Sequence, residues 1–262
     1  MQVNAYAAYQ AKENLKEFNY DSKVPEGKEV EIKITHCGIC HSDIHLIDND
    51  WMISQYPLVP GHEIVGIVTK TGKDVTDLKP GMRVGVGWQS GACHECEWCT
   101  TSQENLCAKS VATCVGKFGG FADHIITDSR FAFPIPEALD SENAAPLLCG
   151  GITVYSPLKN YEVKPSHKVG VIGIGGLGHL ALQFARAMGC EVTAFSTSAD
   201  KEEEAKSFGA HKFVNSKDKK QMQEMTGKLD FILSTVTASL DWMDYINLLR
   251  HTRTLMCAGG QT

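Results

Sequence analysis

The stretch HKVGVIGIGGLGHLALQFARAMG, residues 167–189, contains the pattern that decides the fold of the second half of the chain. A β-type run, KVGVI, leads into the glycine turn GIGGLG (173–178), and apolar residues at helical spacing follow it. Gly173, Gly175 and Gly178 fit G-x-G-x-x-G, a pattern that gains meaning only between a strand and a helix. In that context the turn predicts a dinucleotide pyrophosphate site at the helix N-terminus. A glycine turn required only for packing is the alternative.

Strands and helices alternate from about residue 152 onward, which predicts a parallel sheet with crossover helices. We count five strands, whereas a complete doubly wound dinucleotide fold of this order has six. The chain ends directly after the fifth strand, so we expect a C-terminally incomplete domain. Besides 168–172, the predicted strands are 190–196, 211–215, 229–235 and 252–260, and the later helices are 201–209 and 240–250.

The end of the second strand indicates whether the ribose of the cofactor carries a 2′-phosphate. An NAD site usually has an acidic residue about 20 residues after the first glycine. Here the sequence AFSTSADK offers hydroxyls at Ser196, Thr197 and Ser198, followed by Lys201. Asp200 is the competing acid, but it lies beyond the strand. Hydroxyls and a cation suit a 2′-phosphate, which favours NADP; the alternative is that the serines only cap the next helix.

The first half of the chain is β-rich. KEVEIKIT (28–35) alternates as a half-buried strand should, and the runs 63–70 and 83–88 are short β segments between Gly and Pro residues. Short strands at this spacing predict a small barrel.

Composition and charge exclude several partners and locations. The chain has 262 residues, 43% of them hydrophobic, and a net charge of −6 without a basic run, which argues against nucleic acid or an anionic membrane as a partner. The N-terminus resembles no secretory signal, and no apolar run is long enough to span a bilayer. We therefore expect a cytoplasmic protein with reduced thiols.

Four of the ten cysteines lie within fifteen residues. The spacing Cys93-x2-Cys96-x2-Cys99-x7-Cys107 brings four thiolates together through short loops, as in a closed structural zinc site. An iron–sulfur cluster takes the same ligand type and stays an alternative. Disulfides are disfavoured in a reducing compartment. A closed site of this kind would stabilise a lobe and perform no chemistry.

A second group of possible ligands is spread along the chain. Cys37 and Cys40 in HCGICHSD (36–43) form a C-x-x-C, which can be a redox pair, part of a metal site or a coincidence. Catalytic zinc needs three protein ligands and an exchangeable position, and two cysteines with one histidine make one such set. Cys40, with His62 in PGHEIVG and Cys149 in LLCGGITVYSPL, supplies it.

These motifs together resemble the zinc-dependent medium-chain alcohol dehydrogenases. Within that family, GICHSD, LLCGGITVYSPL and STSADK are most similar to the NADP-dependent cinnamyl-alcohol dehydrogenase-like aldehyde reductases, and the resemblance follows the whole chain in order. It implies a mixed fold: a β-rich GroES-like catalytic domain at 1–152, with a structural-zinc lobe at about 88–110, and a partial α/β Rossmann NADP-binding domain at 153–262.

The resemblance also assigns roles to residues. It makes Cys40, His62 and Cys149 the catalytic zinc ligands, Glu63 an alternative ligand beside the metal, and Asp43 the residue that orients His62. Cys37 matches no ligand position, so the C-x-x-C is a coincidence. Further matches complete the site: Ser42 and His45 as proton relay, Trp51 at a substrate position, His41 near the pyrophosphate, Thr153 beside the nicotinamide, and Gly176 and Leu177 within the cofactor turn.

The implied activity is interconversion of primary alcohols and aldehydes, with aldehyde reduction by NADPH favoured in cells. The implied cofactors are two zinc ions per chain and NADP(H), and a full-length protein would form a homodimer. Two alternatives stay open: a polyol dehydrogenase, although those usually have Glu in place of Cys149, and a non-catalytic NADP- and zinc-binding sensor or scaffold. Residues 107–121 are also shorter than in many relatives.

Overall fold

The structure, a computed structural model, describes residues 1–258, which fold as two compact units. The first unit is Met1–Cys149, and the second begins at Gly150. The domain limits expected from the sequence, 1–152 and 153–262, stay predictions.

The first unit contains nine strands and three short α-helices, with 3-10 turns between them. The strands are β1 Gln2–Ala7, β2 Lys16–Asp21, β3 Glu29–Cys37, β4 Ile64–Thr71, β5 Arg83–Val86, β6 Gln89–Gly91, β7 Val111–Ala112, β8 His124–Asp128 and β9 Phe133–Pro134. The helices are α1 His41–Asp48, α2 Glu97–Thr100 and α3 Ser141–Ala144.

An antiparallel sheet in the order β8-β3-β4-β5-β9 organises this unit. It forms because alternate residues of β3 and β4 are apolar: Val30 and Ile32 are buried against Ile64 and Val68. The sequence predicted a small barrel from these strands. The described strands form this five-stranded sheet and two two-stranded sheets, β1-β2 and β6-β7.

The β1–β2 hairpin was not expected from the sequence. Its buried face uses small residues, Val3, Ala5 and Ala7, which give a weak alternating signal. The hairpin is attached to the remainder of the unit by backbone bonds, such as the Tyr6 N–H donating to the Phe121 carbonyl at 2.9 Å. Its position is therefore decided by tertiary contacts.

The second unit alternates strands and helices, as the sequence predicted. The strands are β10 Lys168–Ile172, β11 Glu191–Ser196, β12 Lys212–Asn215, β13 Leu229–Ser234 and β14 Leu249–Cys257. The helices are α4 Gly150–Asn160, α5 Gly176–Ala187, α6 Glu202–Ser207, α7 Lys219–Glu224 and α8 Trp242–Ile246.

The five strands that the structure describes in this unit are parallel, in the order β12-β11-β10-β13-β14. The strand order reverses beside β10, so the crevice at the carboxyl ends of β10 and β13 is the place where such folds bind ligands. The glycine turn 173–178 lies at this edge, between β10 and α5.

The helix predicted at 240–250 is wrong in extent. Only Trp242–Ile246 is helical, capped by the Asp241 side chain, and Leu249 already begins β14. The apolar residues Leu248 and Leu249 that suggested helical periodicity pack with Leu229 under the sheet instead. The last two residues of the predicted strand 252–260 lie outside the described part of the chain.

Within residues 1–258, no helix has both the length and the apolar character needed to cross a membrane.

Candidate active site

Three ligand side chains distant in sequence converge in the first unit. Cys40 is the N-cap of α1, His62 lies just before β4, and Cys149 follows the 3-10 turn after α3. The Cys40 and Cys149 sulfurs are 3.9 Å apart, and His62 Nε2 is 3.2 Å from the Cys149 sulfur. In a tetrahedral zinc site with metal–sulfur bonds of about 2.3 Å, neighbouring sulfurs lie about 3.8 Å apart. The donor set and its spacing therefore fit zinc.

Glu63 adds a fourth donor to this group. Its carboxylate lies with Cys40, His62 and Cys149 so that one ligand atom from each lies within 4.8 Å of the others. Gly38 leaves room for it, because a Cβ at residue 38 would lie 2.0 Å from Glu63 Oε2. The structure thus brings the predicted alternative ligand beside the predicted three.

Asp43 forms hydrogen bonds with two of these residues, Cys40 and His62. Its carboxylate accepts hydrogen bonds from the Cys40 N–H at 2.9 Å and the Gly61 N–H at 2.9 Å, and pairs with His62 Nδ1 at 3.0 Å. The carboxylate is 1% exposed. The predicted contact with His62 is confirmed, and it fixes the imidazole with Nε2 directed at Cys149. The bond to Cys40 was not predicted.

The neighbouring groups shift the pKa values of Cys40 and His62 in opposite directions. Hydrogen bonds from Cys149, with support from His62 and Ser42, outweigh burial and lower the pKa of the Cys40 thiol. Burial opposes protonation of His62, but the hydrogen bond to Asp43 and the neighbouring thiols overcome it and raise the imidazole pKa. A thiolate beside buried hydrogen-bonded groups is the form of cysteine that binds metal.

Cys37 does not belong to this group. Its thiol packs near residues 61 and 120 and contacts the Gly38 carbonyl, and burial raises its pKa to about 12. All cysteines within residues 1–258 are free thiols. The burial of Cys37 and its absence from the ligand group support the prediction that the C-x-x-C is a coincidence.

Cys114 is a neighbour of the site that the sequence left without a role. It is fully buried, and its sulfur lies within 4.8 Å of ligand atoms of Asp43 and His62. A single cysteine in a short loop carries no signal of this contact in the sequence.

The four-cysteine lobe also forms a compact ligand group. The Cys93 sulfur is 3.8 Å from that of Cys99 and 3.5 Å from that of Cys107, and Cys96 and Cys99 are 3.5 Å apart. These spacings fit a tetrahedral tetrathiolate site and are far longer than a disulfide bond of about 2.05 Å. The backbone N–H groups of Glu95 and Cys96 hold the pKa of Cys93 down to about 6.

The glycine turn of the second unit has the form of a nucleotide cradle. Gly173 adopts φ +84°, which favours glycine, and a Cβ on Gly178 would lie 1.8 Å from the Gly173 carbonyl oxygen. By contrast, Cβ atoms on Gly175 or Gly176 would meet nothing within 4 Å. Protein packing therefore does not require glycine at these two positions, whereas close approach of a pyrophosphate to the backbone does.

The predicted ribose-phosphate residues lie at the tip of β11. Ser196 ends the strand, and its hydroxyl accepts a hydrogen bond from the Ser198 N–H at 3.1 Å. Thr197 and Ser198 are exposed, and Lys201 Nζ donates to the Ile174 carbonyl at 2.8 Å, which places the ammonium beside the glycine turn. Two other predicted cofactor residues are half-buried, Leu177 in α5 and Thr153 in α4.

Asp200, the acid that could bind the ribose instead, lies beyond the tip of β11. Asp200 is exposed in the 3-10 turn Ala199–Lys201, after the strand tip.

Comparison with known proteins shows the family. Residues 26–137 match the alcohol dehydrogenase GroES-like domain family, and residues 176–262 match the zinc-binding dehydrogenase family. An aldehyde reductase from Synechocystis sp. is 48% identical over 94% of this chain and 74% of its own length. The chain belongs to the zinc-binding alcohol dehydrogenases.

Two further similarities refine the place of this dehydrogenase within the family. A probable mannitol dehydrogenase from Fragaria ananassa is 46% identical over 98% of this chain and 74% of its own length. The structure of cinnamyl alcohol dehydrogenase (CAD) from Helicobacter pylori complexed with NADP(H) is 36% identical, with a TM-score of 0.92. That alignment covers 100% of this chain and 76% of the other. The predicted pairing of a GroES-like domain with a Rossmann-type parallel sheet is confirmed.

The candidate relay residues occupy one helix beside the candidate metal ligands. Ser42 and His45 are one turn apart on α1, and the exposed His41 stacks edge-on against His45 at 4.7 Å between ring centroids. His45 Nδ1 pairs with Asp50 Oδ2 at 2.7 Å. Asp50 was not predicted from the sequence. It comes close to His45 only because the αL residue Asn49 turns the chain back after the helix.

Trp88 is a second residue that the sequence did not single out. Its ring lies edge-on to His62, with centroids 5.1 Å apart, and also contacts Trp51 at 6.1 Å. Trp51 in turn lies 5.1 Å from the His45 ring. The two indoles thus lie between the rings of His62 and His45.

Proposed function

We propose that the chain is a zinc-dependent NADP(H) oxidoreductase that interconverts primary alcohols and aldehydes, with reduction of aldehydes favoured. The observation that carries this proposal is the convergence of Cys40, His62 and Cys149 beside Glu63. Two thiolates and one imidazole are a ligand set of catalytic zinc, which keeps a position for substrate. Membership of the dehydrogenase family supports the same reaction class.

When bound, zinc acts as a Lewis acid toward a carbonyl oxygen and NADPH supplies hydride. The chain's own residues hold and surround these groups. Cys40, His62 and Cys149 would hold the ion, and Asp43 would hold the Cys40 backbone and the His62 ring in position through its hydrogen bonds. Glu63 would stand beside these three residues as an alternative ligand. Trp51 and Trp88 would exclude water from one side of the site.

Proton transfer falls to the residues of α1. The Ser42 hydroxyl would bond the reacting oxygen, and the His45 imidazole would exchange the proton with solvent. The Asp50 carboxylate would accept a hydrogen bond from the Nδ1–H of His45, which would leave Nε2 free to accept and release the transferred proton.

Preference for NADP is supported by the β11 tip. Three hydroxyl side chains and Lys201 occupy the place where an NAD enzyme has an acid. The NADP(H) complex of a structural relative supports the same choice. We further propose that the four-cysteine lobe holds a second, structural zinc. The homodimer and the cytoplasmic location stay predictions.

A pair of neighbouring cysteines provides the sharpest test of this function. Cys40→Ser removes a proposed zinc ligand, whereas Cys37→Ser makes the same change at a thiol outside the ligand group. Oxidation of NADPH would be followed at 340 nm with aromatic and aliphatic aldehydes, NADH would be compared, and zinc would be measured by mass spectrometry. We expect Cys40→Ser to lose turnover and one zinc ion while it still binds nucleotide. Cys37→Ser should retain turnover and its full zinc content.

The outcomes separate the alternatives. An active Cys40→Ser variant with unchanged zinc content contradicts the proposal. Two zinc ions and nucleotide binding without turnover of any aldehyde or alcohol favour the sensor or scaffold. Turnover of mannitol in preference to simple alcohols favours the polyol dehydrogenase, an activity that one similar relative is named for.

A further inference from the structure

The glycine turn 173–178 is hydrogen-bonded, on the side away from its open Gly175–Gly176 face, by a residue that follows β13. Thr235 lies directly after the end of this strand, at the carboxyl edge of the parallel sheet. Its N–H donates to the Ile172 carbonyl at 3.0 Å, and its hydroxyl lies 3.0 Å from both the Ile172 and Gly173 carbonyl oxygens. Because a threonine hydroxyl has one proton, that proton is shared between the two carbonyls.

The same point is where the turn and its helix meet. The ideal Cβ positions of Gly173 and Gly178 lie 3.3 and 3.2 Å from the Thr235 hydroxyl oxygen. Val236, the next residue, would lie 2.3 Å from a Cβ on Gly173. The back of the turn is therefore packed against residues 235–236, while its Gly175–Gly176 face is open.

The carbonyl groups of the turn are engaged one after another. Besides the two carbonyls held by Thr235, that of Ile174 accepts from Lys201 Nζ at 2.8 Å, and that of Gly175 from the His179 N–H at 3.0 Å. Fixing each carbonyl fixes the plane of the peptide that follows it. The N–H groups at the start of α5 have no partner within the helix, so the fixed peptides present them to an anion.

We propose that Thr235 is a positioning residue for the nucleotide pyrophosphate, an inference that rests on the proposed NADP(H)-dependent function. Its hydroxyl orders a turn whose glycines would otherwise sample many backbone conformations. Ordering the turn before the ligand arrives reduces the entropy lost on binding. Thr235 acts on the pyrophosphate, so its effect does not depend on the 2′-phosphate.

The test compares three variants by nucleotide affinity. Thr235→Val keeps the side-chain shape and removes the hydroxyl, Thr235→Ser restores the hydroxyl, and Thr193→Val makes the isosteric change at a buried site of β11 paired with Gly170 and Lys212. Dissociation constants for NADPH, NADH and ADP-ribose would be measured by fluorescence and calorimetry, with KM and kcat for nucleotide alongside.

We expect Thr235→Val to weaken all three ligands by a similar factor of about three- to tenfold, the loss of one shared hydrogen bond. The KM for NADPH should rise by that factor with kcat nearly unchanged, and Thr235→Ser should restore binding. Affinities within twofold of wild type for Thr235→Val, or an equal loss for Thr193→Val, would overturn the inference. A wild-type chain that binds no nucleotide would overturn the proposed function first.

Discussion

Asp43 shows how one buried carboxylate can organise a site whose ligands come from distant segments. Its two oxygens receive three N–H groups, from Cys40, Gly61 and His62. Gly61 adopts φ +99°, which turns its N–H toward the carboxylate, and a Cβ there would lie 2.7 Å from Phe121. The loop before β4 therefore reaches Asp43 only with glycine at this position.

Replacing Asp43 by Asn should weaken binding of the proposed catalytic zinc. An amide has one accepting oxygen, and its NH2 group would face an N–H donor, so the three hydrogen bonds cannot all be kept. We expect this zinc to be lost at about 10- to 100-fold lower chelator concentration than in the wild type. A colorimetric chelator with zinc analysis would measure it, and Asp48→Asn on the same helix is the control. Equal chelator resistance of the two variants would contradict the role of Asp43.

At the scale of elements, Asp230 joins three strands of the second unit. Its carboxylate accepts from the Lys168 N–H of β10 at 2.9 Å and pairs with Arg250 and Arg253 of β14 at 3.0 and 3.4 Å. Burial raises the pKa of Asp230, but the Lys168 N–H and the two arginines overcome this and hold it below its ordinary value of 3.8. The charged form therefore belongs to the folded sheet.

This shift fixes the sign of a pH dependence. Since the folded pKa lies below the unfolded one, the stabilisation is fully present above about pH 4 and is lost as pH falls through the folded pKa. Asp230→Asn should lower the free energy of unfolding by about 1–2 kcal/mol at pH 7, because the arginine partners are partly exposed. Urea titrations from pH 7 to pH 3 would show the gap to wild type narrowing in acid. The exposed Asp244→Asn is the control, and a gap that widens in acid would refute the assignment.

The extents of elements also show where local patterns fail. The strand at 168–172 and the helix after the glycine turn were predictable, because a buried parallel strand is a continuous apolar run and the glycines limit it. The end of α8 was not predictable, since Leu248 and Leu249 suit a helix as well as a strand. Pairing of β14 with β13 decides the matter.

At the scale of the whole molecule, each unit has an apolar core of its own. Val30, Ile32 and Ile64 belong to the core of the first unit, and Val169, Val171 and Leu182 to that of the second. The proposed metal sites lie in the first unit and the nucleotide turn in the second. Each ligand should therefore stabilise mainly the unit that contains its site.

Hydrogen exchange would test this division. With NADPH at 100 times its dissociation constant, we expect up to about 100-fold slower exchange of the most protected amides of residues 150–258. Chelation of zinc should instead speed exchange in residues 88–110 and around α1. Exchange with ADP-ribose, which lacks the nicotinamide, is the control for nucleotide binding alone. Protection by NADPH that is equal across residues 1–149 would contradict independent cores.

Local sequence by itself determined the features that depend on neighbours along the chain. These are the strand–turn–helix at 168–187 and the four-cysteine spacing, because short loops leave few arrangements of the residues that they join. Cys40, His62 and Cys149 could be grouped from the sequence only through resemblance to a family. Only the tertiary structure decided that Asp43 holds two ligands, that Asp50 faces His45, that Trp88 covers His62 and that Thr235 clamps the turn. Such contacts join segments up to tens of residues apart, and their geometry depends on how cores and sheet edges pack, which no local pattern of residues specifies.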